Sequence, residues 1–121
     1  MRQSITETGS FGMENETGVE TRPNVRVRTH PGEVLLEEFM RPLGLSANAL
    51  ARALHVPPNR IASIVAREKP RAVTSDTALR LARYFGTTPR FWLNLQAAYD
   101  LSLAEVTVGN SIERDIQPLA A

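Results

Sequence analysis

Cysteine is absent from this 121-residue chain, which removes both a disulfide framework and a thiolate metal centre. There are only two histidines, His30 and His55, far apart and without carboxylates at ligand spacing, so no metal site is expected. Long apolar runs are missing too, and with them any candidate for crossing a bilayer. The opening stretch MRQSITETGSFGMENETGVE is polar and has no apolar secretory core, which makes the cytoplasm the expected location. Met13 offers a second possible start within it. The chain has neither a glycine-rich phosphate loop nor a nucleophile elbow. Asp76, Asp100, Glu105 and Asp115 read as caps or solvated carboxylates. Neither catalysis nor a cofactor is expected.

Net charge is nearly absent, at +1, but its distribution is uneven. Residues 22–71 hold nine Lys or Arg against four Glu, a net of +5, whereas residues 1–21 hold one Arg against four Glu, a net of −3. A basic segment beside an acidic arm is the footprint of a nucleic-acid surface.

Hydrophobic periodicity divides the chain into a polar arm over residues 1–29, a helical domain over 30–104 and a tail over 105–121. Within the arm, residues 25–29 alternate as a short strand would, yet an extended arm fits them better. Leu35, Leu36, Phe39, Met40 and Leu43 mark the inner face of a first helix ended by Pro42 and Gly44. Ser46 caps a second helix with Leu50, Ala53 and Leu54 turned inward. His55-Val56-Pro57 breaks that helix, and Pro58 opens a third whose inner face is Ile61, Ile64 and Val65. Thr74 or Ser75 caps a fourth, with Ala78, Leu81, Ala82 and Phe85 buried and Gly86 as its stop. Thr88 and Pro89 start a fifth that carries Phe91, Trp92, Leu95, Ala98 and Tyr99. The tail, with Val106, Val108, Gly109 and Pro118, reads as irregular. Five short helices without a convincing strand define an all-α fold.

Two short helices joined by a tight turn, the second opened by proline, form the layout of a helix-turn-helix unit. The second helix of such a unit must enter a major groove about 12 Å wide while the first braces it across the backbone. Between Leu45 and Val65, Ala51 is small enough for close helix approach and Val56 fills the corner. With Ile61 and Ile64 turned to the core, Asn59, Arg60, Ser63 and Arg67 point outward. Asparagine matches the donor–acceptor pair of adenine, arginine matches guanine or phosphate, and serine matches either. Lys69 and Arg71 in the following loop suit phosphate contacts.

The stretches His30–Leu35, Leu43–Ser46, Asn48–Ala51 and Val56–Ile61 together resemble the HigA antitoxins. So do residues 76–87 and 91–101. These antitoxins lie within the lambda-repressor/Cro-type, XRE-like class, and the resemblance spans about residues 30–104. It implies a five-helix domain that dimerises on a palindromic operator, neutralises a HigB-like ribosome-dependent mRNA endonuclease and represses their shared operon. Carried over by position, Pro58, Asn59 and Ser63 would face base edges, flanked by Arg60 and Arg67, and Ser46 and Asn48 join the expected DNA-contacting set. Three departures stand out, one being a loop from Ala66 to Val73 longer than usual, so that its phosphate contacts are not assigned individually. Ala47 occupies a position where many relatives have a phosphate-contacting glutamine, and His55 occupies a turn position where many have glycine. They keep open a protein–protein adaptor without DNA binding, beside a solitary regulator without a toxin.

Phe91, Trp92, Leu95 and Tyr99 admit two readings, domain core or a seam between two copies. A five-helix domain rarely hides so many large side chains, so the seam is the functional expectation. It would place two reading helices one DNA turn apart, about 34 Å. The acidic arm is complementary in charge to a basic nuclease.

Overall fold

The computed structural model describes residues 26–120, and among them five helical elements and no strand. Arg26–Thr29 have no regular secondary structure, and the rest of the expected N-terminal arm lies outside the described residues. Two compact units can be distinguished, one over Arg28–Asp100 and one containing residues 101–120.

The first element, α1, spans residues 31–43 in three parts: Pro31–Val34 in α geometry, Leu35–Met40 in π geometry and Arg41–Leu43 in α geometry again. His30 caps it, the buried Nδ1 accepting the Gly32 N–H at 2.8 Å. The π segment precedes Pro42, which has no N–H to give and whose ring would meet the carbonyl four residues back. Instead the Arg41 N–H reaches Leu36 O, five residues back. This wider turn rotates Leu43 off the buried stripe. Expected inward, Leu43 is 64% exposed, whereas Leu35 and Met40 are buried. Gly44 (φ 64°) then reverses the chain, with the Leu45 N–H on Met40 O and the Gly44 N–H on Arg41 O.

Ser46 Oγ accepts the Ala49 N–H at 3.0 Å and starts α2, Ala47–Leu54. Its buried residues are Leu50, Ala51 and Leu54, so Ala51 and not the expected Ala53 faces the core. Pro58–Ile64 forms α3 with Ile61 and Ile64 fully buried, and α2 packs directly on it. Thr74 caps α4, Ser75–Phe85, which buries Thr77, Ala78, Leu81 and Ala82 and ends at Gly86 (φ 77°).

Pro89–Asp115 forms α5, whose start is capped by Thr88 Oγ1 on the Phe91 N–H. The expected irregular tail is therefore helical as far as Asp115. Trp92 lies on α5 with 0% exposure, its Nε1 donating to Thr87 Oγ1 at 2.8 Å. Phe39 of α1 packs against Trp92 and Phe85, with ring centroids 5.2 and 4.9 Å apart. Aromatic contacts of this kind add about 0.5–1.5 kcal/mol each beyond the area they bury. In the second unit the helix exposes Leu101, Val106, Ile112 and, just beyond its end, Ile116. No described helix is long and apolar enough to cross a membrane.

His30 makes the first unit sensitive to acid. It is 7% exposed and stacks edge-on to Tyr99 at 4.7 Å. Burial holds its pKa below the ordinary 6.5, and the Asp100 carboxylate only partly opposes that. Protonation at Nδ1 would also abolish the cap on Gly32. The unfolded chain therefore binds the extra proton more readily. Stability is expected to be full above about pH 6.5 and to fall as pH drops from there through the lowered folded-state pKa. A His30→Asn variant retains a capping acceptor and should flatten that limb in denaturant titrations at several pH values. An unchanged limb would remove His30 as its source.

Candidate nucleic-acid interface

The turn between α2 and α3 sets the angle at which α3 is presented. His55 sits in the left-handed region (φ 59°), a conformation that strains a residue with a Cβ. The turn nevertheless closes with the bonds that glycine usually supports: the His55 N–H on Arg52 O at 3.1 Å and the Val56 N–H on Ala51 O at 3.0 Å. Arg80, on α4, adds a third hold. Its Nη1 donates to Leu54 O at 2.8 Å and His55 O at 3.3 Å, while Nε meets Asp76 Oδ2 at 3.0 Å. The same Asp76 oxygen takes Arg60 Nη1 at 3.2 Å. The hydrogen bond from Arg80, with Arg60 adding to it, holds the exposed Asp76 carboxyl below its usual range.

At the start of α3, Pro58 and Asn59 are exposed, and Ser63 is half-buried one turn further on. Arg60 differs from the outward position expected of it. Its side chain is only 23% exposed, turned onto Asp76, and its Nε is buried without a hydrogen-bond partner. The structure therefore brings Pro58, Asn59 and Ser63 to one outward surface and ties Arg60 to α4.

Beyond α3, Arg67, Lys69 and Arg71 are all exposed in the loop. Lys69 takes a positive φ of 49°, and the Arg71 N–H returns to Ser63 O at 2.9 Å, so the basic loop is fastened to the end of α3. Its far end is held by Gln96 of α5, whose Oε1 accepts the Val73 N–H at 2.7 Å and whose Nε2 donates to Asp100 at 2.9 Å. At the start of α2, Ser46 and Asn48 are exposed and Ala47 packs against the core. Among the described residues, no group of three or more His, Asp or Glu stands close enough to hold a metal ion.

Of the four side chains expected at a seam between copies, Trp92 belongs wholly to the core of its own domain. Phe91 is exposed, and Leu95 and Tyr99 are half-buried, Tyr99 against His30. Sequence reading missed the roles of Arg80, Asp76 and Gln96. For Gln96 a signal was present, since an amide inside an apolar helical stripe needs a buried partner. For Arg80 only the i,i+4 relation to Asp76 was visible.

A short braced helix, a turn and an outward second helix define a helix-turn-helix protein, and residues 36–92 match the family model described as "Helix-turn-helix". Virulence-associated protein I of Dichelobacter nodosus is 63% identical over 76 residues, which are 63% of this chain and 68% of that protein. Antitoxin HigA of Pseudomonas aeruginosa, solved with the higBA promoter, is 43% identical with a TM-score of 0.71, covering 76% of this chain and 98% of that one. Antitoxin GraA, solved in complex with its operator, is 48% identical with a TM-score of 0.74, covering 81% and 97%. The chain belongs to the HigA-type family of helix-turn-helix antitoxins and transcription regulators, a family of DNA-binding proteins and not of enzymes.

Proposed function

We propose that this chain is an antitoxin that acts in the cytoplasm as a homodimer. It binds a palindromic operator, represses its own operon and neutralises a HigB-like mRNA endonuclease. The observation that carries the reading is the outward Pro58–Asn59–Ser63 surface on a braced helix, in a chain whose solved relatives HigA and GraA sit on promoter and operator DNA. Asn59 is the base-reading residue, with Ser63 beside it. Arg67, Lys69 and Arg71 reach phosphates, and the exposed ends of Ser46 and Asn48 lie at the start of the bracing helix. Arg60 contributes by positioning, through Asp76. The loss-of-binding reading rested on Ala47 and His55. Against it, the His55 turn keeps its hydrogen bonds, and the small Ala47 is accommodated against the core.

Dimerisation draws on Phe91, Leu95 and Tyr99.

The test is co-expression with the product of the adjacent short reading frame, scored by growth and co-purification. Growth arrest by the neighbour alone, relieved by this chain in a stable complex, is the expected result. A harmless neighbour that does not co-purify would leave a solitary repressor in place of an antitoxin.

A further inference from the structure

The HigA-type reading assigns Arg80 no part in DNA binding, although its guanidinium reaches the turn of the helix-turn-helix. We propose that Arg80 is a positioning residue for DNA reading: it holds the His55 turn closed and so sets the presentation of α3. The proposal rests on the DNA-binding reading above.

Its geometry is specific to a guanidinium. One Nη donor bridges two successive carbonyls, Leu54 O and His55 O, at the C-terminal end of α2, where helix carbonyls lack intrahelical partners and attract a cation. Nε on the other edge meets Asp76, and Asp76 in turn holds Arg60 on the first turn of α3. Arg80 is 26 residues from Leu54, so this is a tertiary clamp, and it fastens both sides of the turn to α4. The turn has a reason to need one. His55 occupies a left-handed position at φ 59°, where glycine would rest without strain, and the strain disfavours the closed turn. Two carbonyls gripped from outside oppose that tendency. Lysine could not replace the clamp, because an ammonium on a flexible stem lacks the planar fork that serves both edges at once.

The clamp and a direct DNA contact by Arg80 predict different behaviour. Operator affinity would be measured with a duplex from the region upstream of the chain's own reading frame, with a scrambled duplex as reference. The proteins are wild type, Arg80→Ala, Arg80→Lys, His55→Gly and the His55→Gly/Arg80→Ala double variant. Arg80→Ala should weaken operator binding about tenfold, in the range seen for residues that act through a coupled element. The slope of log affinity against log salt should not change, because no phosphate contact is lost. Arg80→Lys should recover little, and His55→Gly should restore most of the affinity in the double variant. Amide exchange at His55 and Val56 should quicken in Arg80→Ala and return towards wild type in the double variant, while Leu81 in the core stays protected.

A salt slope shallower by about one in Arg80→Ala, with no rescue by His55→Gly, would make Arg80 a phosphate ligand and overturn the proposal. Unchanged exchange at His55 and Val56 would overturn it as well. General loss of protection, Leu81 included, would reduce Arg80 to a residue of fold stability and also count against it. Should wild type fail to distinguish the two duplexes, the DNA reading falls, and the proposed role of Arg80 in DNA reading falls with it. The exchange data would then report only whether the clamp on the turn exists.

Discussion

Alanine at position 32 is expected to destabilise the chain by about 3 kcal/mol or more, at the upper end of what overpacking costs. A Cβ on Gly32 would overlap the carbonyl oxygen of Ile64 and stand 2.8 Å from its carbonyl carbon. Both are backbone atoms at the end of α3, so no side chain can swing aside to make room. The Gly32 N–H is also committed to His30, which fixes where the glycine sits. Relief would therefore require the start of α1 to move away from the end of α3. For a domain of this size such a loss lowers Tm by more than about 10 °C. Gly44 makes a useful contrast, because a Cβ there meets nothing within 4 Å and only the left-handed φ of 64° is strained. Gly44→Ala is expected to cost about 1 kcal/mol. Thermal and denaturant unfolding of both variants would check this, and equal losses would mean that the Gly32–Ile64 approach is not tight.

Asn59→Ala is expected to produce the largest loss of function without loss of fold. The residue is exposed on the first turn of α3 and bears on no core contact, so Tm should stay within about 1 °C of wild type. A lost base contact costs about 1–3 kcal/mol, and the proposed dimer on two half-sites would lose it twice, about 2–6 kcal/mol in all, weakening operator binding by at least about thirtyfold. Binding to scrambled duplex should not change, since that affinity comes from phosphate contacts. Arg60→Ala should behave differently. Its guanidinium is already engaged by Asp76, so the expected loss is smaller and comes with a small fall in stability. Operator titrations and melting curves of the two variants separate these outcomes. Equal operator binding by Asn59→Ala would place the reading surface elsewhere on the domain.

The parts of the fold legible in the sequence were those written locally. Ser46, Thr74 and Thr88 cap helices as their side chains lead one to expect, Pro58 and Pro89 open helices, and Gly44 and Gly86 end them. Ile61 and Ile64 face inward as their spacing implies, which leaves Pro58 and Asn59 outward, but spacing did not show Arg60 turned onto Asp76. What was hidden depends on geometry that spacing does not encode. The π segment before Pro42 changes the helical period in mid-course, so an unbroken count misplaces Leu43. Trp92, readable as core or seam, is decided by the rings of Phe39 and Phe91 packed on it. Arg80 acts on carbonyls of Leu54 and His55, and Gly32 on the carbonyl of Ile64. Backbone acceptors leave no trace in the residue types at their own positions. For α5 the β-branched and glycine residues from Val106 to Gly109 argue against helix, yet the helix runs through them to Asp115.

The most direct measurement is the affinity of the wild-type chain for its upstream duplex and for a scrambled duplex across a range of salt concentrations. The proposed contact with several phosphates through Arg67, Lys69, Arg71 and the start of α2 predicts a linear fall of log affinity with log salt, by about 0.9 per phosphate neutralised. The proposed base reading by Asn59 predicts in addition a preference for the upstream duplex that persists as salt rises. A flat salt response, or equal affinity for the two duplexes throughout, would contradict sequence-specific DNA binding by this chain.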